Sequence, residues 1–427
     1  MKPLILMDFD GTVNRKDVSF NILNHFTEGR WEGIDKEFIS GKIGSLTAYS
    51  RISKLLKGNE NEWKKYSQEM SDIDPWFKKF LEETSDSVEV MIVSDGLDIY
   101  IKEILKKEGI YGIEFYANKV EFTGDKIEIK FPFRSEDCDD CGTCKKEVLL
   151  KKKKEGYNPI IYVGDGYSDR CVFQYADWVF AKRTLAKILI AKKMGFSYLR
   201  SFESLLRWIK EKKRQIIFDL DGTIIDSYKP IIKAMKKALK EMGASPPEDQ
   251  DLRKMVGIPV NEIMMKFFDS NHDEGVKLFR KFYEKEFRNG TRLIKGVRNV
   301  LKELRKDFSL ALISNKHERF VKEILKWKKL EKIFDFSAGE SECIPPKPSP
   351  KMLEMAINSQ NLSPKECLFV GDTHIDFITA EKMGVEFVAI STGSEPAESL
   401  YELRPSSLIT NFSELLKMMR IRRILWK

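Results

Sequence analysis

The sequence predicts an α/β fold used twice: two tandem domains with mostly parallel sheets, each with a helical cap inserted after its first strand. Two apolar runs, ILMDFDGT and IIFDLDGT, end in the same Asp-x-Asp-Gly-Thr, with acid pairs Asp8/Asp10 and Asp219/Asp221. The motifs that follow recur in the same order, with offsets of 211 residues (Asp8 to Asp219) and 207 residues (Asp165 to Asp372). Strand-like runs alternate with helix-period segments, the pattern of a parallel sheet covered on both faces.

In the first half, the strand ending at Asp8 is followed by VEVMIVSDG, which delivers Ser94. Lys145 then opens a helix-like stretch, and PIIYVGDGYSD ends on Asp165 and Asp169. In the second half SLALISN delivers Ser314 and Asn315, Lys347 lies in a Pro-rich turn, and CLFVGDTHID delivers Asp372 and Asp376. Between them, IIKAMKKALKEMG reads as a helix with Ile231, Met235, Ala238 and Met242 on one face, stopped by Gly243. In each half about 80 residues separate the first acid pair from the next core strand, too many for a simple crossover. Caps are placed near 14–72 and 226–292, and domains at 1–211 and 212–427.

The chain has 427 residues, 42% hydrophobic and 33% charged, with a formal net charge of +8. Its Lys and Arg are mixed with Glu along the chain, as on solvated helix faces, so no nucleic-acid partner is expected. The run Lys151–Lys154 reads as one such exposed face. No apolar run reaches the roughly 18 residues of a membrane span. Asp8 and Asp10 come too early for a signal peptide, so a cytoplasmic location is expected. Cys171, Cys343 and Cys367 read as reduced thiols. Cys138, Cys141 and Cys144 form C-x₂-C-x₂-C, but no fourth Cys or His lies near in sequence, and Asp139 would have to complete a zinc set. A reduced, partly buried loop is the expectation. His374 reads as a polar residue at a site rim. The tail LLKMMRIRRILWK reads as a helix docked on its own protein.

The acids sit where open α/β sheets bind ligands, beyond the strand carboxyl ends. A carboxylate at Asp8 or Asp219 has the chemistry to attack phosphorus and form an aspartyl-phosphate. An anion attacking an anion calls for a hard cation with oxygen ligands. Asp8, Asp10 (through its carbonyl) and Asp165 are the candidate Mg²⁺ ligands of one half, and Asp219, Asp221 and Asp372 those of the other. Asp10 and Asp221, two residues on and on the same side of an extended chain, are the candidate acid/base groups. Ser94, Lys145, Ser314, Asn315 and Lys347 are candidate phosphate binders, with Asp169 and Asp376 orienting the lysine or metal-bound water.

This ordered set resembles the haloacid dehalogenase (HAD) superfamily in both halves. The resemblance implies a Rossmann-like core and phosphoryl transfer with one Mg²⁺ per domain. It also implies small phosphorylated metabolites as substrates, with oligomeric state left open. The first half, with its Cys-rich loop before Lys145 and VGDGYSD, resembles phosphoserine-phosphatase-like enzymes. Among these it is similar to methionine-salvage phosphatases acting on 2-hydroxy-3-keto-5-methylthiopentenyl-1-phosphate and to phosphocholine/phosphoethanolamine phosphatases. The second half, FDLDGTIIDS with VGDTHID, is similar to phosphoglycolate phosphatases and their pyrophosphatase and phosphomutase relatives. A bifunctional phosphatase is expected; one active half beside a regulatory or structural one, or a phosphomutase or pyrophosphatase second half, are the alternatives. Phosphate binding without turnover fits the complete acid pairs less well.

Overall fold

A computed structural model of the chain describes residues 2–124, 126–138 and 140–426; Asp139 lies outside the described residues. The chain divides into two compact units. The first runs to Lys192 and takes in Leu199–Lys210 and the stretch from Ile421; the second comprises Lys193–Tyr198 and Glu211–Arg420.

In the first unit the strands are β1 (Leu4–Met7), β2 (Glu89–Leu97), β3 (Glu114–Thr123), β4 (Lys126–Lys130), β5 (Ile160–Gly164) and β6 (Trp178–Ala181). Their order is β6-β5-β1-β2-β3-β4, parallel except for the β3–β4 hairpin. All four residues of β1 have no exposed surface. A central strand covered on both faces reads as an unbroken apolar run, and LILM is one.

The second unit holds β7 (Phe196–Tyr198), β8 (Gln215–Phe218), β9 (Ile225–Asp226), β10 (Arg292–Leu293), β11 (Ser309–His317), β12 (Phe336–Glu340), β13 (Cys367–Gly371), β14 (Glu386–Ile390) and β15 (Ser407–Ile409). The sheet order is β12-β11-β8-β13-β14-β15-β7, with only β7 antiparallel to its neighbour. β9 and β10 form a separate two-stranded ribbon.

Helices fill the insert after the first strand in each unit. In the first they are Val18–Phe26, Glu32–Ile39, Ser45–Ile52 and Glu60–Glu69, before Phe77–Thr84 leads into β2. Asp17 caps the first of these by accepting from Phe20 N at 2.9 Å, and Asn59 with Glu62 forms a reciprocal capping box on the fourth. Trp63 is buried and stacks on Phe26 at 4.4 Å. In the second unit, Tyr228–Glu241, Asp249–Lys254, Val260–Met265 and His272–Glu286 lie between β9 and β10.

Some local expectations need correction. The helix Tyr228–Glu241 buries Ala234, Met235, Ala238 and Leu239, while Ile231 and Met242 are half-buried. The apolar stripe of a packed helix is wider than one i, i+4 row, and its centre is displaced here. Within Lys151–Lys154, Lys152 is buried rather than exposed. Its ammonium lies 5.4 Å from the Tyr116 ring and 5.7 Å from that of Tyr157, and pairs with Glu155 at 3.0 Å. One residue in four on a helix necessarily faces inward. The tail helix Phe412–Leu425 buries Leu415, Met418, Met419 and Leu425. Among the described residues no helix is long and apolar enough to cross a membrane.

Candidate active site

Strand register brings the acids together. Met7 pairs with Val163 and Phe218 with Val370. The next residue in each case, Asp8 and Asp219, donates its backbone N–H to the Val163 or Val370 carbonyl, both at 2.9 Å. Each acid therefore stands level with the end of the strand that carries Asp165 or Asp372. The intervening residues Phe9 and Leu220 are fully buried in the core. Each therefore anchors its turn while the flanking acids face the site.

Gly11 and Gly222 make that close approach feasible. Their φ angles are +67° and +89°, a region side chains disfavour. A Cβ at Gly11 would lie 2.2 Å from Asp165 Oδ2, and one at Gly222 2.3 Å from Asp372 Oδ2.

In the first half Lys145 Nζ lies 2.9 Å from Asp8 Oδ2 and 2.6 Å from Asp169 Oδ1, and donates to Ser168 Oγ at 3.0 Å. Burial opposes the Lys145 charge, but Asp169 and Asp8 more than offset it, and its pKa is raised. Asp169 also accepts from Tyr162 OH and from the backbone N–H groups of Asp165 and Gly166. Asp169 thus faces the lysine. Asp10 accepts from Val18 N at 2.8 Å, Ser19 Oγ at 3.4 Å and Tyr100 OH. Burial first, then the Asp17 charge, pushes Asp10 up to about 7. Asp8 is held well above the usual carboxylate range by burial, against the pull of Lys145.

The second half repeats the core of this arrangement. Lys347 Nζ lies 2.6 Å from both Asp219 Oδ1 and Asp376 Oδ1. Burial, opposed by Lys347 and helped by Asp376 and Asp221, pushes Asp219 up to about 7. Asn315 locks the lysine's turn: its Nδ2 donates to the Lys347 carbonyl at 2.9 Å and its Oδ1 accepts from Lys347 N at 2.6 Å. Asn315 is thus tied to backbone, with a further bond to the Gly257 carbonyl of the cap insert. Ser94 and Ser314 are buried in equivalent turns, accepting from Gly96 N at 3.0 Å and Lys316 N at 3.1 Å. Each hydroxyl keeps its proton available for an oxygen acceptor.

A cavity opens above each acid set, between sheet and cap helices. The first is lined by Asp8, Asp10 and Ser94, with Phe20, Trp31 and Tyr49 from the cap; among the described residues its lining includes Asp17 and Asp35 and no Lys or Arg. The second is lined by Asp219, Asp221 and Ser314 with Arg280, Lys316 and Lys347.

Residues 216–390 match the family described as "Haloacid dehalogenase-like hydrolase", and residues 3–198 match the one described as "Putative Phosphatase". A 2-hydroxy-3-keto-5-methylthiopentenyl-1-phosphate phosphatase of Brevibacillus brevis is 25% identical over 51% of this chain and 99% of its own length. A phosphoglycolate phosphatase of Photorhabdus laumondii is 30% identical over 48% of this chain and 91% of its own. Another, of Aquifex aeolicus, is 32% identical over 48% and 96%. The chain is a tandem HAD-family phosphatase. Each of these relatives spans about half of it.

HAD phosphatases generally use Mg²⁺, and the donor sets suit it. Among the described residues the groups of three or more potential ligands within 4.8 Å of one another are Asp8/Asp165/Asp169 and Asp219/Asp372/Asp376. All donors are carboxylate oxygens, the chemistry a hard cation selects. Burial first, and then neighbouring carboxylates (Asp169; Asp219 and Asp376), pushes Asp165 up and Asp372 well up, and a cation would relieve the carboxylate repulsion.

The HAD halves also contain groups that motif spacing does not announce. Lys316 Nζ sits 3.2 Å from Asp221 Oδ2, and Ser227 Oγ donates to Asp221. Tyr100 and Ser19 hold Asp10, and Arg183 contacts Asp165. Lys316 was readable as the residue after Asn315; Tyr100, 90 residues from Asp10, carried no local signal. His374 is exposed and pairs with Glu395 at 2.5 Å. The cysteines of the C-x₂-C-x₂-C run are free thiols.

Proposed function

We propose that each half is a separate phosphomonoesterase with its own aspartyl-phosphate and its own Mg²⁺, the functional domains being 1–211 and 212–427. Asp8 and Asp219 are the nucleophiles. A carboxylate oxygen forms the new bond to phosphorus as the ester P–O bond breaks, and the departing alkoxide takes its proton from Asp10 or Asp221. The same residue, now a base, takes a proton from the water that attacks the aspartyl-phosphate, releasing inorganic phosphate and regenerating the carboxylate. Lys145 and Lys347, with Ser94 and Ser314, bind phosphoryl oxygens; Asn315 serves by fixing the Lys347 turn. Asp8, Asp165 and the Asp10 carbonyl would hold Mg²⁺ in one half, and Asp219, Asp372 and the Asp221 carbonyl in the other. When bound, the cation neutralises charge between nucleophile and phosphoryl group.

The observation that carries this is the repeated buried triad: a lysine within 2.9 Å of the first acid and 2.6 Å of the later one, in both halves. Substrate choice follows the cavities. The first, whose described lining away from Lys145 includes Asp17 and Asp35, suits phosphate esters of uncharged alcohols such as the 2-hydroxy-3-keto-5-methylthiopentenyl ester named for one relative. The second, with Arg280 and Lys316, suits esters bearing a second anion, such as phosphoglycolate. Six free thiols fit a reducing cytoplasm. Hydrolysis of para-nitrophenyl phosphate by Asp8→Asn, Asp219→Asn and the double variant tests the proposal: each single variant retains activity and the double has none.

A further inference from the structure

Arg183 Nη1 lies 3.1 Å from Asp165 Oδ2, and its Nη2 donates to the Arg15 carbonyl at 3.5 Å. Its side chain is largely exposed, so the guanidinium reaches back to the acid from outside. The backbone is committed to this reach. Arg183 has φ +50° and is the first residue of the helix Arg183–Ala191. Four other non-glycine residues with positive φ (Glu28, Lys193, Lys329 and Arg404) directly follow the C-caps of helices, where a left-handed residue is the ordinary terminator. The other two, Asn271 at the N-cap of the helix His272–Glu286 and Asn361, are asparagines, which tolerate this conformation; a long side chain such as that of Arg183 does not, and strain of this kind gathers at working sites.

Among the described residues no cation pairs with Asp372 in the other half. Asp372 accepts from Thr223 Oγ1 at 2.9 Å, Ser394 N at 3.3 Å and Tyr228 OH at 3.4 Å, all neutral donors. We infer that Arg183 is a positioning residue that sets the first half's affinity for its divalent cation: it occupies Asp165 when the cation is absent and must withdraw when one binds. This rests on the assignment of Asp165 and Asp372 as metal ligands. Both halves set a lysine against the nucleophile, but at the later acid a cation entering the first half competes with a guanidinium, whereas one entering the second meets only neutral donors on Asp372. The first half is therefore the weaker site, at low salt above all, because a half-exposed ion pair is screened.

The test is Mn²⁺ binding by electron paramagnetic resonance of the free ion. An Asp372→Asn background isolates the first half, and Asp165→Asn isolates the second. Arg183→Gln in the first background keeps a polar side chain at a left-handed backbone position but removes the charge; Arg183→Lys restores it. Expected are about 3- to 10-fold tighter Mn²⁺ binding for Arg183→Gln, near-parental binding for Arg183→Lys, and a difference that shrinks in high salt. Unchanged or weaker binding in Arg183→Gln would overturn the inference while leaving the metal assignment standing. A first half that binds no more Mn²⁺ than the Asp165→Asn/Asp372→Asn double variant would overturn the metal assignment itself, and the inference with it.

Discussion

Lys316 Nζ stands 3.2 Å from Asp221 Oδ2, with both side chains no more than 10% exposed, whereas Asp10, the matching acid of the first half, is held by Tyr100, Ser19 and the Val18 amide. The two candidate acid/base groups thus work in opposite electrostatic settings. Asp221 and Tyr283 more than offset the burial that opposes the Lys316 charge, and its pKa is raised. Lys316→Met removes that counter-charge from Asp221. Second-half turnover should fall at least ~10-fold. First-half turnover, measured in an Asp219→Asn background, should not move.

The nucleophiles should act independently. Asp8→Asn and Asp219→Asn should each remove one substrate activity by at least ~10³-fold. Steady-state kinetics on a phosphometabolite panel reads this directly. If Asp219→Asn removed all activity and Asp8→Asn none, the first half would be catalytically idle.

Removing a buried lysine should cost stability as well as rate. Lys347→Ala leaves Asp219 and Asp376 buried without their shared cation, and breaking a buried pair costs about 3–5 kcal/mol. The penalty should appear in denaturant unfolding of the second unit at pH 8. The Lys347→Ala/Asp376→Asn double variant should recover part of it, because one uncompensated charge is gone.

The metal-free protein should lose stability as pH rises from about 4 to about 7. Asp10 and Asp219 titrate near 7 in the fold, against roughly 3.9 in an unfolded chain. In that window the native state holds protons that the unfolded state has released, so the slope of stability with pH is negative. Thermal melts in chelator should therefore give a higher Tm at pH 5 than at pH 8. Mg²⁺ should restore Tm at pH 8, and Asp219→Asn should flatten the slope. A Tm that rose with pH would contradict the assignment.

The acid pairs, serines, lysines and later acids were legible in sequence because each lies at or just beyond a strand end, or opens a helix, within a short recognisable string. Their partners were not. Tyr100 reaches Asp10 across 90 residues and Arg183 reaches Asp165 across a separate strand, and a single sequence holds no record of such pairings. Lys316 follows the motif Ser-Asn directly, yet only the bend of β11, where register shifts between Ser314 and His317, turns it onto Asp221. Lys152 shows the same limit on a helix: four consecutive lysines look alike until Tyr116 and Tyr157 show which one faces inward.

The central claim is two independent aspartyl-phosphates per chain, and acid-quench trapping tests it most directly. Asp10→Asn and Asp221→Asn keep each nucleophile but lose the base that hydrolyses the intermediate, a loss of about 10²–10⁴-fold. A para-nitrophenyl ester needs little help from a general acid, so phosphorylation should still proceed. The double variant, mixed with ³²P-labelled para-nitrophenyl phosphate and Mg²⁺ and quenched in acid, should hold up to two hydroxylamine-labile phosphates per chain. Adding Asp8→Asn or Asp219→Asn should remove one each. No trapped phosphate, or a single one that persists in both of those variants, would contradict the account.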